Sequence, residues 1–414
     1  NAPSAWEVST GGLTADSQEI VIAIVDVSFE ITHDDLKANF WKNMHEIPNN
    51  NIDDDKNGYI DDFDGWNVYQ DTGYISARNP VGQLDKHGTM VAGIIGGIGN
   101  NRRDIAGLNW NVKMLPVQGS STNEAVVIKS YNYILEMRKR YNRTQGDSGV
   151  FIVAQNSSFG VDKRFPADYP VWCDLIDQLG KAGVLSIAAG PNNLTDIDAQ
   201  GDIPCTCPSD YLVTVTRSDE NDELFNGGFG KINMDMAAPG KGIFTTTPVN
   251  STGSGDGASF AAPMAAAAVG LMYSAYPKSF YNSSVDSMAL RSAIYLRQSV
   301  EELPQFTENM STGGRLDLLK AVTRAEVAPA LSLRETNNSS IGDVLYPNPN
   351  NGSFIFESNT EGTLNVYHVN GTLISSSNLV KGANRIEPDA PSKGLYVIEV
   401  KNESDWKRTK MIIK

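Results

Sequence analysis

The run Ile20-Val21-Ile22-Ala23-Ile24-Val25 is unbroken, apolar and mostly β-branched, and it stops at Asp26. A strand with one wet face alternates apolar and polar residues, so a run without alternation predicts a strand buried on both faces. Similar runs recur at 150–154, 184–188 and 211–216, with helical patterns at 123–141 and 170–182 between them. Strands alternating with helices imply an α/β fold, a parallel sheet sandwiched by helices. In such sheets sites form at the carboxyl ends of strands, and Asp26 stands at one.

Two further segments place reactive side chains at helix starts. His87 precedes Gly88-Thr89-Met90-Val91-Ala92-Gly93-Ile94-Ile95, small and apolar residues that suit a helix entering the core. Ser259 lies in Gly255-Asp256-Gly257-Ala258-Ser259-Phe260-Ala261-Ala262-Pro263, a flexible turn leading into an alanine-rich helix. Proline is tolerated in a first helical turn, which puts the serine at the amino end, where free N–H groups and the helix dipole favour negative charge. A serine hydroxyl is a weak nucleophile until a base takes its proton. His87 is the candidate base, and Asp26 the carboxylate that orients it and stabilises its imidazolium. The other histidines have no such setting: His33 and His45 lie in polar loop sequence, and His368 in a different domain.

The order aspartate, histidine, serine is that of subtilisin. With the segments "AIVDVSFEITHDDL", "HGTMVAG" and "GASFAAPMAAAA", residues 1–328 resemble a subtilisin-family catalytic domain. The resemblance implies a serine endopeptidase that acts on protein or peptide substrates through an acyl-enzyme. It also implies a mature form, released from a signal peptide and a propeptide. Ser158, Phe159 and Gly160, with Ala188, Ala189 and Gly190, would wall the primary specificity pocket, and a peptide would lie extended along these edges. Three departures stand out: Val27 and Ser28 follow Asp26 where glycine is usual, Ala258 replaces threonine, and Met264 replaces a common histidine. The family's oxyanion asparagine follows a strand ending in Ala-Gly. Here Gly190 is followed by Pro191, which cannot donate, and then by Asn192 and Asn193, of which Asn192 is favoured. Pro191 and Ser28 motivate an alternative, a catalytically silent subtilisin-like binding protein.

Between Asn50 and Asp64 the chain is crowded with oxygen donors. Asp53, Asp55 and Asn57 alternate, Gly58 permits a sharp turn, the Tyr59 carbonyl can face inward and Asp62 can close the loop. Hard oxygen ligands at this spacing suit structural calcium, as in the first half of an EF-hand loop, although no glutamate closes it. Without a cation, so many carboxylates on one short loop would repel one another.

A net charge of −15 over 414 residues argues against nucleic acid as a partner. The longest apolar stretch, near 261–272, contains Pro263 and falls short of the roughly 20 residues of a membrane span. Cys205 and Cys207 are too close to pair with each other, so a disulfide would join Cys173 to one of them, with Cys207 favoured and three free thiols as the alternative.

After Val327 the composition turns polar and breaker-rich, predicting a linker at 329–343. Beyond it, short alternating runs at 353–357, 363–368, 372–376, 395–400 and 407–413, with an Asn370-Gly371 turn, predict a small antiparallel β-sandwich at 344–414. "LYPNPNNGSF", "GTLNVYHVNGTLI", "KGLYVIEV" and "KRTKMIIK" resemble the C-terminal sorting domain of the type IX secretion pathway of Bacteroidota. That implies export to the cell surface or beyond, with the secretion machinery as a partner. A monomer is expected.

Overall fold

The computed structural model describes residues 1–103, 105–326, 344–346, 354–358, 361–368, 372–388, 394–401 and 406–413. The chain divides into two compact units, Asn1–Ala330 and Leu331–Lys414. The linker expected at 329–343, the Pro347-Asn348-Pro349 segment and the Asn370-Gly371 turn lie outside the described residues.

The first unit is built on a nine-stranded sheet. Across it the strands run Val300–Glu302, Gly314–Leu316, Met236–Pro239, Leu212–Ser218, Leu185–Ala189, Ile152–Ser157, Val21–Asp26, Lys113–Gln118 and Trp66–Asn67. Neighbours are parallel except for the first pair. The central Val21–Asp26 strand is fully buried, and its side chains divide by parity. Ile22 and Ile24 enter the core beneath the Ala258–Ala275 and His87–Gly96 helices, while Val21, Ala23 and Val25 enter the core beneath Glu124–Thr144 and Pro170–Ala182. Burial on both faces is the physical reason the run shows no polar alternation.

Strand order reverses around Val21–Asp26: Lys113–Gln118 pairs on one side and the later Ile152–Ser157 on the other. Such a switch point opens a crevice beyond the carboxyl ends, bordered here by Asp26, Ser157 and Ala189. The Ala258–Ala275 helix is long and apolar enough to cross a membrane, but most of it is buried inside this unit, packed on the sheet by its small side chains. Cys173 bonds to Cys207 with Cα atoms 5.1 Å apart, and Cys205 is a buried free thiol.

Several element ends differ from the sequence expectation by one to three residues. The first long helix is Glu124–Thr144, with the Asn123 side chain accepting from the Ala125 amide as its N-cap, and the strand after it is Ile152–Ser157. In the second unit two antiparallel sheets form: Val344–Tyr346, Phe354–Ser358 and Gly382–Ile386; and Leu373–Leu379, Gly362–His368, Gly394–Lys401 and Trp406–Ile413. Their apolar faces share one core containing Phe354, Phe356, Leu364, Val366 and Ile398. The Gly382–Ile386 strand was not expected, because its inward position Asn384 is polar; that side chain bonds Val380 N–H and the carbonyls of Val380 and Gly382.

Candidate active site and acidic cluster

Asp26 ends the central strand with its carboxylate almost wholly buried. Oδ1 accepts the Val27 N–H at 2.7 Å, and the two oxygens lie 2.8 and 2.9 Å from His87 Nδ1. His87 opens its helix with its backbone N–H donated to Asp85 Oδ1 at 2.8 Å. The helix can come this close because residue 88 is glycine: a Cβ there would lie 2.1 Å from the Ser28 carbonyl and 2.9 Å from the Asp26 Cβ. Ser28 is used rather than merely accommodated, since its hydroxyl donates to the Asp85 carbonyl at 3.0 Å and so braces the turn ahead of His87. Burial disfavours the charged imidazole, but the Asp26 carboxylate, by charge and hydrogen bond, and Asp85 outweigh it, and the His87 pKa is raised.

Ser259 is the second residue of its helix. Its hydroxyl donates to the Ser158 carbonyl at 3.1 Å, and the Ser158 hydroxyl donates to the Ser259 carbonyl at 2.9 Å. The next ring along, Phe260, lies 5.8 Å from the imidazole centroid. Of the two asparagines after Pro191, Asn192 turns to this helix start: its Oδ1 accepts the Ala258 N–H at 2.8 Å, which leaves the amide donors for another acceptor. Arg217 holds its carbonyl at 2.9 Å. Asn193 turns away, donating to Asp162 Oδ2 at 3.1 Å and accepting from the Thr195 hydroxyl.

The expected pocket walls meet the crevice largely through main chain. The Ala188 and Ala189 side chains are buried in the two cores, and the Phe159 ring packs on Trp172 at 5.8 Å. Gly160 and Gly190 are closely approached, by the Ile203 carbonyl and the Met234 methyl respectively.

In the acidic loop the carboxylates divide into two sets. Asp53 accepts the N–H groups of Asn57 and Gly58 at 2.9 Å, Asp54 that of Ile47 at 3.1 Å, and Asp61 those of Asn50 and Asn51 at 3.0 and 2.9 Å. These acids build the turns. The acids that converge are Asp55 and Asp62 from the loop and Glu46 from outside it, with ligand oxygens within 4.8 Å of one another. Asp53 is therefore not among the grouped acids, and Glu46 escaped the sequence reading because nothing in its local pattern marks it. Asn57 donates to Asp55 and Asp62 at 3.3 and 3.0 Å, while its own oxygen takes the Tyr59 N–H at 2.7 Å. The Tyr59 ring anchors the loop edge-on against Trp66 and Tyr133. Asn43 spans the cluster, 3.0 Å from Asp55 and 2.7 Å from Asp62.

The cluster fits a hard cation. Asp55 Oδ1 is buried without a hydrogen bond, with the Arg140 guanidinium 3.7 Å away. Asp62, fully buried, has its pKa pushed up to about 7, by burial against the opposing bonds from Asn43, Tyr133 and Asn57. Arg140 offsets part of the charge of the three converging carboxylates, and a bound cation would offset the rest.

The sequence matches the subtilase family model over residues 17–325 and the secretion system C-terminal sorting domain over 344–414. It is 26% identical over 327 residues to a subtilisin-like protease 1 of Plasmodium vivax, covering 73% of this chain and 47% of that protein. It is 25% identical over 351 residues to an extracellular protease of Xanthomonas campestris pv. campestris, covering 78% of this chain and 54% of that protein. The chain thus spans about half the length of these relatives. A solved protease structure from Pseudoalteromonas arctica shares the fold, with a TM-score of 0.55 at 22% identity over 78% of this chain and 94% of that one.

Proposed function

The chain belongs to the subtilase family, and we propose that it is a secreted serine endopeptidase using Asp26, His87 and Ser259. The observation that carries this reading is the His87 Nδ1 to Asp26 carboxylate pair at the switch point, with Ser259 held at the adjoining helix start by Ser158. Rotation of the Ser259 side chain moves its hydroxyl from the Ser158 carbonyl to His87 Nε2, which takes the proton as the oxygen attacks the scissile carbonyl. Asp26 holds Nδ1–H and stabilises the imidazolium. The oxyanion is received by the Asn192 amide and the Ser259 N–H, the Ala258 N–H being held by Asn192 Oδ1. His87 then returns the proton to the leaving amine; a water, deprotonated by His87, attacks the acyl carbon, and that proton passes to Ser259 Oγ as the acid is released. Catalytic hydrogen bonds often tighten only once substrate is bound, which is compatible with the Ser259 hydroxyl resting on Ser158.

Residues 1–328 are the catalytic domain in this reading, and 344–414, joined through 329–343, are the address read by the type IX secretion machinery. Substrates are protein chains lying extended along the crevice, and the enzyme is a monomer. Glu46, Asp55 and Asp62 hold calcium, which neutralises the cluster and orders the 50–64 loop.

The test is labelling by an active-site-directed fluorophosphonate, with casein digestion in parallel and Ser259→Ala as control. Labelling and digestion that both vanish in the variant support the reading. A folded, calcium-loaded protein that neither labels nor digests is instead a subtilisin-like binding protein.

A further inference from the structure

Asp202 is a buried carboxylate that belongs neither to the Asp26 pair nor to the acidic cluster. Asp202 is 1% exposed and forms, with Ile203, a short strand antiparallel to Val161–Asp162, with Asp162 opposite Asp202 and Val161 opposite Ile203. This pairing sets it against both segments that wall the pocket. On one side Gly160 approaches Ile203 so closely that a Cβ would lie 2.5 Å from the Ile203 carbonyl. On the other, the Cys205 thiol donates to the Ala189 carbonyl at 3.4 Å while facing the Asp202 carboxylate.

The backbone here is clamped, whereas one carboxylate oxygen is left without a donor. The Thr206 N–H and hydroxyl both donate to the Asp202 carbonyl at 2.8 Å. Asp202 Oδ2, by contrast, is buried without a hydrogen-bond partner. The ionisable groups that face it are Cys205 and Asp162, neither of them a cation. Burial first, and then Asp162, raise its pKa to about 8, against the hydrogen bonds from Cys205. A buried carboxylate oxygen without a donor is costly unless a ligand completes it.

We propose that Asp202 forms the base of the primary specificity pocket and selects a lysine or arginine side chain immediately before the scissile bond. The proposal rests on the protease reading and names its substrate class. The arriving ammonium or guanidinium ionises Asp202, whose proton leaves to solvent, and supplies the donor that Oδ2 lacks. A leucine or phenylalanine in the same place leaves the carboxyl unpartnered, so the site discriminates against it.

The experiment uses the full chain in calcium and matched tetrapeptide anilides that differ only in the last residue: lysine, arginine, leucine or phenylalanine. Wild type is expected to favour lysine and arginine in kcat/KM by about tenfold or more, and Asp202→Asn to lower those two by about 10- to 100-fold relative to the apolar pair. Benzamidine, tested on wild type so that no variant needs to fold, is expected to compete with substrate and to slow fluorophosphonate labelling of Ser259. Labelling with an apolar preference and no benzamidine competition overturns the proposal and leaves the protease reading standing. A basic preference that survives Asp202→Asn in a folded variant also overturns it, by placing cation recognition elsewhere. Absence of Ser259 labelling removes both readings.

Discussion

Ser158 and Ser259 exchange hydrogen bonds: each hydroxyl donates to the other's carbonyl, at 2.9 Å from Ser158 and 3.1 Å from Ser259. The pair ties the end of the Ile152–Ser157 strand to the start of the Ala258–Ala275 helix, so the position of Ser259 is set by the sheet. Ser158→Ala removes one of the two bonds and is expected to lower stability by about 1 kcal/mol, read by denaturant unfolding, with slower fluorophosphonate labelling because the helix start loses a restraint.

The raised His87 pKa gives a direction for the pH profile. A general base must be neutral, so the acid limb of kcat/KM should fall above the ordinary histidine value of about 6.5. Asp26→Asn removes the charge that raises the pKa and keeps the burial that lowers it. The limb should move to lower pH while activity drops by roughly 10^4-fold. For stability the sign is the ordinary one for histidine: the contribution is complete below the unfolded pKa and lost as pH rises through the folded one. A limb that Asp26→Asn leaves in place would contradict the pairing.

Asp62 follows the same sign, because its pKa is also raised. Its pKa of about 7 in the cation-free fold lies above the unfolded value of 3.8, so folding takes up a proton in that window and stability falls as pH rises through it. Calcium should cancel the loss. The calcium-dependent gain in Tm is therefore expected to be larger at pH 8 than at pH 5. Glu46→Ala or Asp55→Ala should abolish the gain, whereas Asp53→Ala, which removes two turn bonds, should lower Tm in calcium and chelator alike.

Asn192→Ala should reduce kcat by about 10^2- to 10^3-fold with KM little changed, the cost measured for the oxyanion asparagine of a subtilisin. Asn193→Ala, whose side chain faces Asp162 and Thr195, should cost far less. Equal losses in the two variants would mean that the oxyanion is received elsewhere.

The Cys173–Cys207 bond closes a span of 34 residues. On a chain-entropy basis its removal by paired serine substitutions should cost about 4 kcal/mol in unfolding free energy. Cys205 should resist thiol reagents in the native protein and react on unfolding, since it is buried in the core.

Much of the frame was readable locally. The unalternating run at 20–25 announced a doubly buried strand, and the strand is buried throughout and divides its side chains between two cores. Helix starts at His87 and Ala258 followed from small residues, although Pro263, read as part of a first turn, lies inside the Ala258–Ala275 helix; the cysteine spacing pointed to Cys173 with Cys207. Element ends were less legible, because a strand stops where its neighbour's ladder stops, which is a property of two segments.

What the sequence determined by itself was therefore everything that depends on near neighbours: the period of burial, the residue types at helix starts, and the density of oxygen donors between Asn50 and Asp64. Tertiary structure decided which of several chemically equivalent groups meet. It turned Asn192 to Ala258 and Asn193 to Asp162, it set Asp53 to capping a turn while bringing Glu46 to Asp55 and Asp62, and it paired Asp202 with Asp162 across two short strands. Identical side chains a residue or two apart have nearly the same local pattern. The partners that separate them lie from 9 residues away, as for Glu46 and Asp55, to 66, as for Asn192 and Ala258, and only the path of the folded backbone chooses between them.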